Sequence, residues 1–384
     1  MSDVIFDQLQ SDLQSGNTAV ALERLSEKLR ADRRYHDLFD ARLMQARQKL
    51  GMSVVTNSRL DELDEPLRSQ VEEAYVASCR EVGGLLLAEN KIREAWMYLR
   101  PADGRAEMQR AIESVSVDEE NVDEVVEVAF NEGVHPQRGF ELLLSHFGTC
   151  NAITTFESQM NRFSLTDQQA AAAMLVRNLH EELTNVLLAE IKHQEGIAPA
   201  EKTLAALCDS REWLFANNNY HVDTTHLAAI VRFARICDDP EVLRLALDLT
   251  EYGRRLAAQY QFEGDEPFVA IYPRHALFFQ ALLGHEAESA LAYFRERAEN
   301  VAVNEHGTQA IEIYVLLLSR LGRHLVALQE SQRLLSPGAR RLGIAPPLLD
   351  LCRVAGDFSP VLENCRAASD LVGFVNGLIE AKEK

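Results

Sequence analysis

Apolar residues recur at intervals of three and four along almost the whole of this chain, and that spacing leaves few folds open. In 122–133, Val122, Val125, Val126 and Ala129 form one stripe of a helix, with Asp and Glu between them. A half-buried strand would instead alternate at every second residue. Gly (19) and Pro (11) are sparse for 384 residues, too few to turn the many short strands of a sheet protein. The pattern predicts an all-α chain of roughly 16–19 helices joined by short turns.

Helix punctuation is clear in places. Ser116, followed by Asp118, Glu119 and Glu120, reads as a helix entrance with acids near the positive end of the dipole. Pro136 suits a first turn, Phe140, Leu143, Leu144 and Phe147 form a stripe, and Gly148 can close the helix. Asn151 then starts a second helix with the stripe Ile153, Phe156 and Met160, giving an αα-hairpin. Thr166 and Gln169 fit a capping box ahead of a long helix running through Leu175, Val176, Leu179, Leu183, Val186, Leu187 and Ile191 to Gly196. Candidate linkers are 101–116 and 196–203. The expected organisation is 1–115 (N-terminal helical hairpins), 116–200 (a central hairpin and the long helix) and 201–384 (C-terminal repeats), in one continuous array.

Several strings share a grammar: a turn residue, a small residue five or six positions on, and a larger apolar residue four after that. Gly16 leads to Ala21 and Leu25, Asn90 to Ala95 and Leu99, Gly284 to Ala290 and Phe294, Gly322 to Ala327, and Gly356 to Val361. Gly284, Gly322 and Gly356 are 38 and 34 residues apart, and Gly16 and Asn90 are 74 apart, close to two such units. A small residue lets a second helix approach the first, and the apolar one fills the groove between them.

On these residues the chain resembles the tetratricopeptide-like α-solenoid superfamily. Ala290-Leu-Ala-Tyr-Phe294 reproduces its A-x-x-x-F element, and 321–337 echoes it, with Pro337 just past the helix. The likeness is clearest over 272–370. The W-x-x-L-G-x-x-Y element is missing, and Ser331 and Cys365 stand where phenylalanine belongs. The resemblance implies stacked antiparallel helical hairpins in a right-handed tetratricopeptide-like α-solenoid, and a protein-binding scaffold as the functional class.

A net charge of −20 excludes nucleic acid as the expected partner, since phosphate binding is driven by Lys and Arg. Most of that charge lies before residue 251; residues 251–384 carry 14 basic and 17 acidic side chains, so an anionic partner approaches there most easily. The six cysteines are scattered without a CxxC pair, which reads as free buried thiols in a reducing compartment. The opening MSDVIFDQLQ is acidic and polar, unlike a signal peptide, and no apolar run nears the roughly 18 residues of a membrane span. A cytoplasmic location without membrane insertion is expected.

The most chemical-looking stretch is NNNYHVDTTHL (217–227). His221, Asp223 and His226 could ligate a metal or act as acid–base groups; alternatively Asp223 caps a helix over 224–237 and the histidines pack. His135 with Arg138 could hold an anion at a helix start, or serve only as helix-start chemistry. His180 reads as a core or interface residue, and Cys150 beside His146 as a buried thiol rather than a nucleophile. Tyr272 and Arg274, at the mouth of a very apolar helix whose first turn holds Pro273, are second-choice partner-binding residues. Strongest is the cluster Arg320, Arg323, Arg333, Arg340 and Arg341, set against one acid, Glu330, between 320 and 341. Arginine forks bind carboxylates bidentately, so an acidic peptide or another copy of the chain is the expected partner. No Walker A loop, GxGxxG, G-x-S-x-G or zinc-ribbon spacing is present, and no cofactor is expected. The leading expectation is a scaffold or adaptor; the alternative is a helical-array enzyme using His221, Asp223 and His226.

Overall fold

The structure, a computed structural model, describes residues 2–55, 63–335 and 340–383. Among them are twenty α-helices and no strand, only an isolated bridge between Glu263 and Ala270. The chain divides into two compact units, Met1–Gly148 and Thr149–Lys384.

In the first unit the helices are α1 (Ser2–Gln14), α2 (Thr18–Ala31), α3 (Tyr35–Lys49), α4 (Leu67–Leu87), α5 (Ile92–Leu99), α6 (Arg105–Ser114) and α7 (Val122–Val126). Each packs mainly on its neighbours in sequence. α6 occupies the stretch expected as a linker, because Met108 and Ile112, four apart, are both buried. The stripe Val122, Val125, Val126, Ala129 is buried as expected, but after α7 the backbone widens into a π-turn over Glu127–Asn131. The entrance to α7 is set by Asp118 and Asn121, which exchange backbone-to-side-chain hydrogen bonds, and Ser116 only accepts through its carbonyl.

Helix α8 (Pro136–Gln159) is interrupted at Gly148, whose φ of 82° and ψ of 171° break it without a loop. The helix expected from Asn151 therefore resumes at once, and the break falls at the boundary between the two units.

After the second half of α8, the second unit continues with α9 (Leu165–Glu195), closed by Gly196 in the left-handed conformation. Its cap is Ser164, not the expected Thr166: Ser164 Oγ accepts from the Asp167 amide and donates to the Asp167 carboxylate. There follow α10 (Leu204–Asp209), α11 (Thr224–Phe233), α12 (Pro240–Gly253), α13 (Ile271–Leu282), α14 (Ala287–Asn300), α15 (Val303–His306), α16 (Gln309–Arg320), α17 (His324–Leu334), α18 (Leu348–Ala355), α19 (Ser359–Ala367) and α20 (Leu371–Glu383). From α11 onward, sequential packing again dominates, as in a helical array.

The repeat grammar has a physical counterpart. Gly16, Asn90, Gly284, Gly322 and Gly356 all have positive φ, and Ala21, Ala95, Ala290 and Ala327 are all buried. Each left-handed residue ends one helix and turns the chain into the next. Pro337 lies outside the described residues.

Two glycines separate packing from propensity. A Cβ on Gly139 would stand 2.7 Å from the backbone nitrogen of Phe130, whereas one on exposed Gly84 would meet nothing within 4 Å. Gly139→Ala is expected to cost about 1–3 kcal/mol in urea unfolding. Gly84→Ala should stabilise by up to about 1 kcal/mol in the same assay.

Candidate functional site

Asp223 caps α11: its Oδ1 accepts from the Thr225 amide at 2.8 Å, the Thr225 hydroxyl at 2.6 Å and the His226 amide at 3.2 Å. These bonds hold the carboxylate below its usual pKa range, the Thr225 hydroxyl contributing most. The helix ends at Phe233 and continues as a 3-10 turn to Ile236.

His221 goes elsewhere. Its side chain is buried, and Nδ1 lies 2.8 Å from the hydroxyl of buried Tyr252, which also accepts from the His221 amide at 2.9 Å. Nε2 lies 3.0 Å from Glu190 Oε2 but off the line of a hydrogen bond. Burial holds His221 below the ordinary histidine range against the pull of Glu190. Asp223 and His221 thus take separate structural roles. Among the described residues, no group of three or more His, Cys, Asp or Glu side chains is arranged to hold a metal ion.

The other histidine candidates are likewise engaged within the fold. His135 approaches Glu113 at 3.1 Å and receives the Arg138 amide, while Arg138 pairs with Glu141 at 2.7 Å. His180, half-buried, lies 3.3 Å from Asp248 and links α9 to α12. Cys150 is exposed, unlike the other five thiols, because it follows the break at Gly148 on the solvent side; His146 is exposed too.

At the mouth of α13, Tyr272 is a core residue rather than a surface one. Its ring fills the space above Gly253, where a Cβ would stand 2.4 Å away. Arg274 lays its guanidinium over the Tyr293 ring at 4.1 Å. One turn on, His275 is fully buried: Nδ1 donates to the Ile271 carbonyl at 2.7 Å, the ring stacks on Phe268 at 4.1 Å, and Nε2 has no partner. Burial, reinforced by the nearby positive charge of Arg235, pushes its pKa well below the ordinary value.

The arginine cluster divides by environment. Arg320 is mostly buried, donating to the Arg235 carbonyl at 2.7 Å and to the Cys237 carbonyl, and pairing with Asp238 at 2.8 Å. It fastens α16 to the turn before α12. Arg323 pairs with Glu288, and Arg333 with Glu299 and Glu330 at 2.7 and 2.6 Å. The remaining two, Arg340 and Arg341, are exposed, and no ion pair engages their guanidinium groups among the described residues.

What places that pair was not anticipated. Glu312, buried in α16, accepts from the amides of Leu342 at 2.7 Å, Ile344 at 2.8 Å and Ala345 at 3.3 Å, and from the Thr308 hydroxyl at 2.6 Å. Thr308 Oγ1 also lies 3.1 Å from the Arg340 carbonyl. A signal was available: Glu312 is the sole charge in the run AIEIYVLLLS (310–319). A lone carboxylate in an apolar helix needs internal donors, and here a loop supplies them.

The first unit holds a groove of about 300 Å³ between α3 and α4. On its wall Arg42 grips Glu81 through two hydrogen bonds of 2.8 and 2.9 Å, and Gln45 joins Arg42 to Glu23. No protein-family model, curated protein or solved structure matches the chain.

Two outcomes follow from this geometry. His221 and His275 have folded pKa values below the unfolded value of 6.5, so the unfolded chain binds more protons in acid. Stability is then full above about pH 7 and falls as pH drops through about 6.5. Urea unfolding at pH 7.5 and 5.5 should show this loss, and His275→Phe should shrink it. Glu312→Ala leaves three loop amides without their acceptor, and hydrogen exchange at Leu342 and Ile344 is expected to accelerate at least about tenfold.

Proposed function

We infer that this chain is a protein-interaction scaffold or adaptor, built as a right-handed tetratricopeptide-like α-solenoid of antiparallel hairpins, and that its second unit docks an acidic peptide segment. The observation that carries this reading is the pair Arg340 and Arg341, exposed and without ion pairs of their own among the described residues. The loop bearing them is tied to buried Glu312 by its own amides. A fixed backbone lowers the ordering cost of binding, and two adjacent guanidinium groups match carboxylates by charge and by fork geometry.

Charge supports the same choice of partner. Overall the chain is strongly acidic, so an exposed basic pair is a local exception that steers an acidic segment to one place. Four left-handed turns, at Gly16, Asn90, Gly284 and Gly322, each followed by a buried alanine, support the solenoid reading, because they repeat one helix-to-helix joint. The use of Asp223 as a helix cap favours this function over a catalytic one at 221–226.

Fluorescence anisotropy with a glutamate-rich peptide tests the proposal. Binding should weaken with added salt, and Arg340→Glu with Arg341→Glu should reduce affinity by about tenfold or more. Arg274→Gln, whose guanidinium rests on an aromatic ring, should leave it unchanged. Equal affinity in the double variant and the wild type would remove the acidic-peptide reading. Co-purification from the native cell, followed by mass spectrometry, identifies the partner.

A further inference from the structure

Helix α20 has two unlike faces. Its inner face packs on the preceding helices: a Cβ on Gly377 would stand 3.1 Å from Leu362 and 3.3 Å from Val361 of α19. Arg366 lies over the Phe374 ring at 5.0 Å, and Arg353 of α18 pairs with Glu380. The outer face is aliphatic and open. Leu371 is 79% exposed, Val372 73%, Val375 52%, Leu378 38% and Ile379 50%.

The spacing of those five residues is symmetrical. Relative to Val375 they stand at −4, −3, 0, +3 and +4, all within one helical stripe. A two-fold axis through Val375 therefore brings Leu371 and Val372 of one chain against Leu378 and Ile379 of the other, and the reverse. This is the self-complementarity that an isologous contact requires. We propose that the outer face of α20 is a homodimer interface, in which two copies pair antiparallel about Val375.

Charge and area agree with a second copy as the occupant. The chain carries −20 overall, which opposes most contacts between copies, but residues 340–384 hold six basic and six acidic side chains. Two copies meeting here bring neutral ends together. Taking on the order of 180 Å² for a fully exposed aliphatic residue, the five leave about 500 Å² per copy, or roughly 1,000 Å² per pair, near the lower bound of a specific interface. The dimer is accordingly a reversible one. It would also present two Arg340–Arg341 loops together, although the interface stands on α20 alone and does not depend on what those loops bind.

Sedimentation velocity of the full chain from 1 to 200 µM (about two decades around a micromolar Kd) tests the proposal. The mass should rise from 43.1 kDa toward twice that value with concentration. Val375→Asp should hold the protein monomeric throughout, with unchanged helicity by circular dichroism as the check that it folds. In a Cys150→Ser background, Val375→Cys should form an interchain disulfide under mild oxidation. Leu371→Cys should not cross-link to itself, but should do so when mixed with Ile379→Cys. A wild-type monomer at every concentration overturns the proposal. So does a dimer that survives Val375→Asp, or one in which Leu371→Cys cross-links as readily as Val375→Cys.

Discussion

Helices in this chain meet where one of them carries almost no side chain. Ala21, Ala95, Ala290 and Ala327 sit in the second helix of their pairs, each a few residues after a left-handed turn, and each is buried. In one pair the first helix also gives way: a Cβ on Gly83 of α4 would stand 2.6 Å from Leu99 of α5. Such contacts fix how near two axes come, and the larger residue one turn on, Leu99 or Phe294, then fills the groove that remains. Because each joint involves only neighbouring segments, it can be repeated along the chain with little dependence on distant residues.

Polar groups inside such an array serve as fasteners. Asp223 closes a helix start, Arg320 binds the carbonyls of a turn, and Glu312 gathers the amides of the 342–345 loop. Arg320 and Glu312 satisfy part-buried backbone groups that would otherwise lack partners, which is why removing one costs more than its bond alone. Once these interactions are assigned, much of the chemistry that looked available in the sequence is already engaged. Among the groups that still face outward are the Arg340–Arg341 pair and the aliphatic face of α20.

Helix class and much of the buried stripe pattern were legible, since periodicity reports directly on which side of a helix is dry: Val122, Val125, Val126 and Ala129 are buried together. Asp223 as a cap and Gly196 as a helix end were legible from local chemistry. The fate of individual charges was not. Arg320 and Arg341 are alike in sequence, yet the first is inside and the second exposed, because that depends on residues some 80 positions away. Glu312 stood out as a lone charge in an apolar helix, but its donors, thirty residues on, were hidden for the same reason. Even caps proved ambiguous where several Ser, Thr and Asp residues crowd one entrance, as with Ser164 and Thr166.

The close-contact joint is the claim on which the rest stands, and helix α14 offers its most direct test. Ala290 is fully buried, while Ala292 on the same helix is exposed. Both substitutions to leucine add the same volume and nearly the same helix propensity, so urea unfolding isolates the packing term. Ala290→Leu should cost about 1–3 kcal/mol, and Ala292→Leu should stay within about 0.5 kcal/mol of wild type. Equal stability for the two variants would contradict the account.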